Sequence, residues 1–581
     1  MKSEIDAPAF TSTVRQPLLL RWRYGAWVLA TLAIVALFSH LGALPMDTHS
    51  DEARRALVSL EMILSGDYLT PTVNGIRYFN KPPLYNWLII GSYWLFGNYS
   101  SLALRFPMAL SLVLFGLTIF FFVRRYVPAQ ASSLRGKSTP PLSAGLVTPS
   151  VIAFAVAMML VTNARMWLYD SLLGLIDITF SWVTYTAFLL VYHFERRRNY
   201  WALYLSTYAL TAIGFMLKGL PSLVFEGLTL LTWFSYTRQF RRLLHPAHWA
   251  GIILFALLVG TYYVAYFTRN QIPFRDLASV LVDQSARRTV VNYGLGQTLR
   301  HMLTYPFEMM HLFAPYTALV VLLFRSKLWC VLRTEPFIAF NTLTFLVNFI
   351  VYWASPEVFA RYLFPLLPLL FTVLAYLYYV QTAPTDPRRI WPERIWQVIG
   401  VILTVGCWTA VWYPETRSLP GIVWKTAIVC CLLGLVTWSM FRPSINRLGL
   451  MLALMVVVRV GYNWLVLPPR FEQRDFHRKT AERVASRTRG APLFGFRQTI
   501  GSDRSNDVST YQATDINSFY IAAYRNDILR ITDQKIDGAY YIADSISLPG
   551  EWYTVVDTLT LFNHHPAYIV RFKPAGTAVL Q

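Results

Sequence analysis

Long apolar runs alternate with short polar loops from near residue 25 to near residue 467. A membrane-spanning helix needs about 20 mostly apolar residues. Runs of that kind predict thirteen spans: Trp27–Leu44, Ala103–Val123, Leu146–Val161, Ser171–His193, Trp201–Leu217, Leu220–Tyr236, His248–Phe267, Leu303–Phe324, Pro336–Trp353, Tyr362–Val380, Trp396–Trp412, Gly421–Met440 and Leu448–Leu467. Basic residues gather on alternate loops, for example Arg196–Arg198, Arg238 with Arg241 and Arg242, and Arg388 with Arg389. The short loops of the other set hold one basic residue each: Arg165, Lys218, Arg361 and Arg417. Cytoplasmic loops carry the Lys/Arg excess, so the pattern predicts a cytoplasmic N-terminus. An odd number of spans then places the C-terminal end outside.

Three segments break the alternation. The loop at 45–102 and the loop at Arg269–Met302 are long and lie on the outer side. From Pro468 the chain turns polar, with strand-like stretches at Gly538–Ala543 and Ala567–Phe572. The expected architecture is an all-α polytopic membrane protein over residues 1–467, with a small α/β domain at 468–581 on the outer face. The first apolar stretch is long and lacks a small-residue cleavage site, so no cleavable signal peptide is expected.

Composition narrows the class. Of 581 residues, 55 % are hydrophobic and 14 % charged, against about 25 % charged in a soluble domain. The net charge of +21 sits on a chain this apolar, which excludes disorder and argues against a soluble nucleic-acid binder. Four Cys, none after residue 431, predict no disulfide framework. No P-loop, HExxH or GxSxG motif is present.

The loop at 45–102 carries the densest chemistry. In Glu52–Leu64, the residues Ala56, Leu57, Leu60, Ile63 and Leu64 share one helical stripe. That predicts a helix lying flat in the headgroup layer, begun near Ser50 and Asp51 and stopped by Gly66. A carboxylate at a helix N-terminus is favoured in its charged form. The plain reading of Asp51 is therefore an N-cap beside a salt-bridged Arg54. A second reading rests on its neighbours: Arg54, Asn80 and Lys81 share the loop, and Asp170, Glu357 and Arg361 lie at outer ends of other spans. Ionisable groups at membrane depth are costly and usually functional.

The run DEARRALVSLEMILSGDYLTPTVNGIRYFNKPPLYNW resembles the first outer loop of the GT-C membrane glycosyltransferases, within them the aminoarabinose transferases and the protein O-mannosyltransferase-related group. NARMWLYDSLL, MLKGLPSLV and ARYLFPLLPLL extend the likeness over roughly residues 25–470. The resemblance implies transfer of a sugar from a polyprenyl-phosphate carrier to a lipid, glycan or protein acceptor at the outer face of the inner membrane, by single displacement with inversion. It implies Asp51 as the essential loop acid with Arg54 beside it. It also implies Lys81 as a donor-phosphate contact, Arg361 and Tyr362 near that phosphate, and Asp170 as a further acid. Arg287 or Arg288 would meet the phosphate or an acidic acceptor, or else simply contact lipid headgroups. No nucleic-acid partner is implied; the surrounding lipids are.

The chain departs from the family where some relatives hold a divalent cation. Asn80 stands where many have Glu, and Gln284 where some have His. Neutral amides are weak ligands. No tightly bound metal or cofactor is expected, at most a loosely held divalent cation. Glu308 and His311 share a helical face; Arg459 lies inside the last span and is expected to pair internally or reach the interface. The competing reading is a transporter or flippase of a lipid-linked sugar, against which stands the concentration of charge in one surface loop rather than at the midplane.

Overall fold

The structure, a computed structural model, describes residues 15–46, 51–78, 81–128, 147–271, 290–442, 446–497 and 508–572, apart from 546, 549, 551 and 561–565. Among the described residues, seven helices are long and apolar enough to cross a membrane: Ser101–Tyr126, Tyr200–Lys218, Pro246–Asn270, Pro336–Trp353, Pro387–Val411, Ile422–Met440 and Arg447–Phe471. A pair of helices, Pro149–Thr162 and Ala164–Leu172, is long and apolar enough when taken together and is bent by 50° between its parts. The bend falls at Asn163, whose backbone is extended and whose side chain caps the second piece through the Met166 N–H at 3.0 Å.

Three of the other expected spans differ for local reasons. Pro221–Tyr236 has 16 residues. Ile176–Arg196 mixes Asp177, Ser181, Thr184 and Thr186 into its apolar run. The stretch expected at Leu303–Phe324 divides into a helix, Val290–Leu312, and a 3-10 turn, Tyr316–Leu323. Pro315, which has no N–H to continue a helix, stands between them. Glu308 and His311 both lie exposed on the first of these pieces.

The polar loop forms a helix, Glu52–Ser65, ended by Gly66 at φ 68°. Only glycine takes that left-handed turn without strain. A two-strand hairpin follows, β1 (Thr72–Val73) and β2 (Ile76–Arg77). The Glu61 carboxylate fastens it by accepting from Thr72 Oγ1 at 2.6 Å, Asn74 N at 2.6 Å and Gly75 N at 3.1 Å.

The C-terminal part contains helices Leu467–Arg487 and Val508–Arg525 and strands β3 (Leu493–Phe496), β4 (Arg530–Thr532), β5 (Tyr540–Asp544), β6 (Tyr553–Thr560) and β7 (Pro566–Phe572). The sheet order is β4-β3-β5-β7-β6. β3 runs parallel to β4 and β5, and β7 antiparallel to β5 and β6. Helix Val508–Arg525 packs on the loop helix, and its Ile516, Phe519 and Ile521 share one apolar cluster with Ala53, Leu57 and Leu60.

This corrects one expectation. The loop helix is covered by protein rather than by headgroups: Glu52 through Met62 are all buried, the charged Glu52, Arg54, Arg55 and Glu61 included. Local periodicity showed an apolar stripe but not the second cover, which comes from residues more than 450 positions later.

Candidate active site

Asp51 begins the loop helix, yet its carboxylate makes no capping bond. It is held between cations instead. Oδ1 lies 3.5 Å from Arg54 Nη1, and Oδ2 lies 3.6 Å from Arg361 Nη2. Arg361 comes from the 3-10 turn Ala360–Leu363. Its Nε lies 3.2 Å from Asp177 Oδ2, and Asp177 Oδ1 accepts from Lys218 Nζ at 2.5 Å. Lys218 Nζ sits 3.7 Å above the centre of the Tyr362 ring, a cation–π contact. Charges therefore alternate along Arg54, Asp51, Arg361, Asp177 and Lys218, drawn from four separate elements.

Exposure distinguishes the members. The Asp51 side chain is 33 % accessible, against 12 % for Arg361, 7 % for Asp177 and 8 % for Lys218. Asp51 is the carboxylate a ligand can reach; Asp177 is the one that holds cations in place. Burial opposes the charge on Arg361, but Asp177, Asp51 and Asp170 more than offset it and raise its pKa. The guanidinium stays charged.

The sequence-derived residues are placed as follows. Lys81 is partly buried, and its charge acts on Asp177. Arg361 and Tyr362 enter the cluster directly. Asp170 is buried beside it, bonded to Arg165 Nε at 2.7 Å and within the field of Arg361. It is a neighbour rather than a link in the chain. Asn80, Arg287 and Arg288 lie outside the described residues. Arg459 is fully buried and donates to the Trp167 carbonyl and to Ser171 Oγ, the latter at 3.0 Å. It thus grips the turn that carries Asp170.

Asp177 and Lys218 were not singled out from sequence. Lys218 stood inside MLKGLPSLV, and Asp177 inside an apolar run. The available signal was one acid in the first turn of a spanning helix, a placement that usually marks function.

Behind Asp51 stands a rigid support. Glu52, fully buried, accepts from Arg105 Nε at 2.6 Å, Arg105 Nη2 at 2.9 Å and the Gly174 N–H at 2.7 Å. Arg105 also donates to the carbonyls of Leu41, Leu44 and Pro45 at 3.0, 2.8 and 3.3 Å. Gly174 lies two residues before the helix that begins at Ile176 and carries Asp177. One buried ion pair therefore sets the start of the loop helix relative to Asp177. On the other flank, Asn86 Nδ2 bonds the Arg55 carbonyl at 3.2 Å and Ser59 Oγ at 3.0 Å.

This arrangement offers a reachable carboxylate beside fixed cations, suited to a phosphate and a hydroxyl side by side. The chain superposes on the crystal structure of ArnT from Cupriavidus metallidurans bound to undecaprenyl phosphate with a TM-score of 0.66, covering 95 % of this chain and 99 % of that one. The chain has the ArnT fold. Sequence identity across the superposition is 16 %. No family's sequence profile matches the chain. Undecaprenyl phosphate-alpha-4-amino-4-deoxy-L-arabinose arabinosyl transferase of Edwardsiella ictaluri is 38 % identical over 97 residues, 16 % of this chain and 17 % of that protein. Transferase 1 of that name from Sodalis glossinidius is 28 % identical over 243 residues, 41 % of this chain and 39 % of that one. The matched segments thus span well under half the length of these relatives. The expected helical, multi-pass membrane architecture stands at the level of the fold.

Proposed function

We propose that this chain is a glycosyltransferase that moves a hexosyl or pentosyl group from a polyprenyl-phosphate carrier to a lipid, glycan or protein acceptor. The observation that carries the reading is Asp51, the most accessible carboxylate of the cluster, held between Arg54 and Arg361, with Lys218 bonded to the neighbouring Asp177 and the charge of Lys81 acting on that same acid. The likeness to transferases whose names specify undecaprenyl phosphate, and to ArnT bound to that carrier, supports the donor class.

Chemistry assigns the roles. The acceptor oxygen bonds to the anomeric carbon while the bond from that carbon to the donor phosphate oxygen breaks. Electrons of that bond leave with the carrier phosphate. Lys81 and Arg361 stabilise the growing negative charge there. The acceptor proton passes to Asp51 as general base. Attack opposite the leaving group inverts the anomeric centre. Asp170 and Asp177 do not take the proton: each is itself buried and bound to a cation, Arg165 and Lys218 respectively. Any divalent cation would be held loosely, since its candidate ligands include the neutral Asn80. Residues 1–467 form the catalytic membrane unit on this reading and 468–581 an accessory α/β unit. The alternating Arg-rich loops support an inner-membrane orientation with a cytoplasmic N-terminus and an extracytoplasmic site.

The test is turnover by purified protein in nanodiscs, given a polyprenyl-phosphate sugar and candidate acceptors, with Asp51→Asn in parallel. Product formation by the native chain, lost in the variant, supports the proposal. Product formation unchanged by Asp51→Asn, or movement of labelled carrier across the bilayer without transfer, overturns it.

A further inference from the structure

A cavity of about 410 Å³ lies between the membrane helices and the C-terminal region, away from the Asp51 cluster. Pro45, Tyr99 and Ser100 form one side; Phe471, Arg478 and Tyr524 form the other. Its depth can be read from its walls. Ser100 caps the spanning helix Ser101–Tyr126, and Phe471 ends the apolar segment Arg447–Phe471. Both mark the point where apolar helix gives way to polar chain. That level belongs to lipid headgroups, where Tyr and Trp are enriched.

The charge at this level is unusual. Arg470, Arg474 and Arg478 follow one another at four-residue spacing on helix Leu467–Arg487, so they neighbour each other along one side. Asp475 is shared, with Arg478 Nε at 2.6 Å and Lys479 Nζ at 3.1 Å. One carboxylate facing two cations leaves a positive excess. Among the described lining residues Arg478 is the only charged one, and no acid lines the cavity. In the proposed orientation this helix stands outside, where topology does not call for arginine. Asp475 offsets only part of this charge, which makes the region attractive to an anion. The amino end of a 26-residue helix opens on the same space and adds to the positive potential.

We propose that this cavity binds the phosphate headgroup of an anionic bilayer phospholipid, and that occupancy steadies the approach to the active site. Arg478 meets the phosphate, the tyrosine hydroxyls meet headgroup oxygens, and the acyl chains remain in the membrane. The coupling runs through Tyr520, which also lines the cavity. Its hydroxyl oxygen accepts from the Met46 N–H at 3.4 Å, five residues before Asp51. The same helix, Val508–Arg525, covers the loop helix. A lipid that fills the space under it therefore bears on the segment that presents Asp51.

The binding experiment needs no sugar donor, so its outcome is separate from that of the proposed transferase activity. The full-length protein is exchanged into nanodiscs of phosphatidylcholine with or without phosphatidylglycerol, and retained lipid is counted by native mass spectrometry after release. Native protein is expected to keep one phosphatidylglycerol. Arg478→Gln removes a charged donor and is expected to weaken retention about tenfold. Ala523→Trp fills the cavity, keeps every charge and is expected to abolish retention; thermal unfolding verifies that both variants fold. In turnover, phosphatidylglycerol is expected to raise kcat of the native chain and not of Arg478→Gln. Equal retention by all three proteins overturns the proposal. So does displacement by inorganic phosphate at equal affinity, which would make it a plain anion site. A raised KM for acceptor with lipid retention unchanged also overturns it, in favour of an acceptor subsite.

Discussion

Lys218, the last residue of one helix, donates to Asp177 in the first turn of another at 2.5 Å, with both side chains more than nine-tenths buried. Breaking a buried pair on one side strands a charge and costs about 3–5 kcal/mol. Asp177→Asn and Lys218→Met are each expected to lower the unfolding temperature clearly. The double variant should recover part of that loss, because neither charge is then stranded. Activity should not recover, since Arg361 still lacks its buried carboxylate. A double-mutant cycle on thermal unfolding, run beside turnover, checks both halves.

Asp51 and Glu52 are sequence neighbours with opposite duties. Asp51 is one-third accessible and caps nothing, so Asp51→Asn should leave stability nearly unchanged. Loss of a general base is expected to reduce kcat by about a hundredfold or more. Glu52 holds the fully buried Arg105 and the Gly174 N–H. Glu52→Gln takes the Glu52 carboxylate charge away from the buried Arg105, and about 3–5 kcal/mol of stability should go with it. Unfolding curves for the two variants, normalised to kcat of the folded fraction, separate the roles. A large stability loss in Asp51→Asn would contradict this division.

Much of this was legible in sequence because it is local. The apolar runs that gave the spans, Gly66 as the helix stop, and the strand patterns ending at Ala543 and Phe572 each depend on neighbours within a few positions. So does the clustering of Asp51 and Arg54. What escaped notice is non-local. Asp177 looked like one polar residue in a span, and its meaning appears only when Lys218 and Arg361 arrive from elsewhere. The plain N-cap reading of Asp51 was also a local one. Its position at the helix start and its pairing with Arg54 hold, but the side chain makes no capping bond, and its other oxygen faces Arg361, 310 positions later. Burial of the loop helix under Val508–Arg525 has the same origin.

Gly174 gives a gentler perturbation. A Cβ there would stand 3.1 Å from Leu104 Cγ, 3.2 Å from the Leu104 carbonyl and 3.3 Å from Glu52 Oε1. Those neighbours must shift by a few tenths of an ångström. Gly174→Ala is expected to cost about 1–3 kcal/mol, as overfilled cores do. Because Glu52 is one of the atoms pushed, Asp51 should move with it. Turnover should therefore fall while donor KM stays near the native value. Thermal unfolding and steady-state kinetics together test the link between this backbone contact and the acid.

Arg361→Lys asks whether bridging or charge matters. The guanidinium reaches two carboxylates from different atoms, Nε toward Asp177 at 3.2 Å and Nη2 toward Asp51 at 3.6 Å. A lysine carries the same charge at one point and cannot span both. The buried Asp177 already has Lys218, so the new ammonium is expected to settle toward one acid and leave the other loosely placed. If Arg361 also meets the donor phosphate, loss of its fork geometry removes a paired contact. The expected result is a folded protein with donor KM raised about tenfold and kcat lowered as well. Donor binding by the inactive Asp51→Asn background, with and without Arg361→Lys, isolates the binding component. Unchanged donor affinity in that background would limit Arg361 to ordering the acids, and the phosphate would then rest on Lys81 and Lys218.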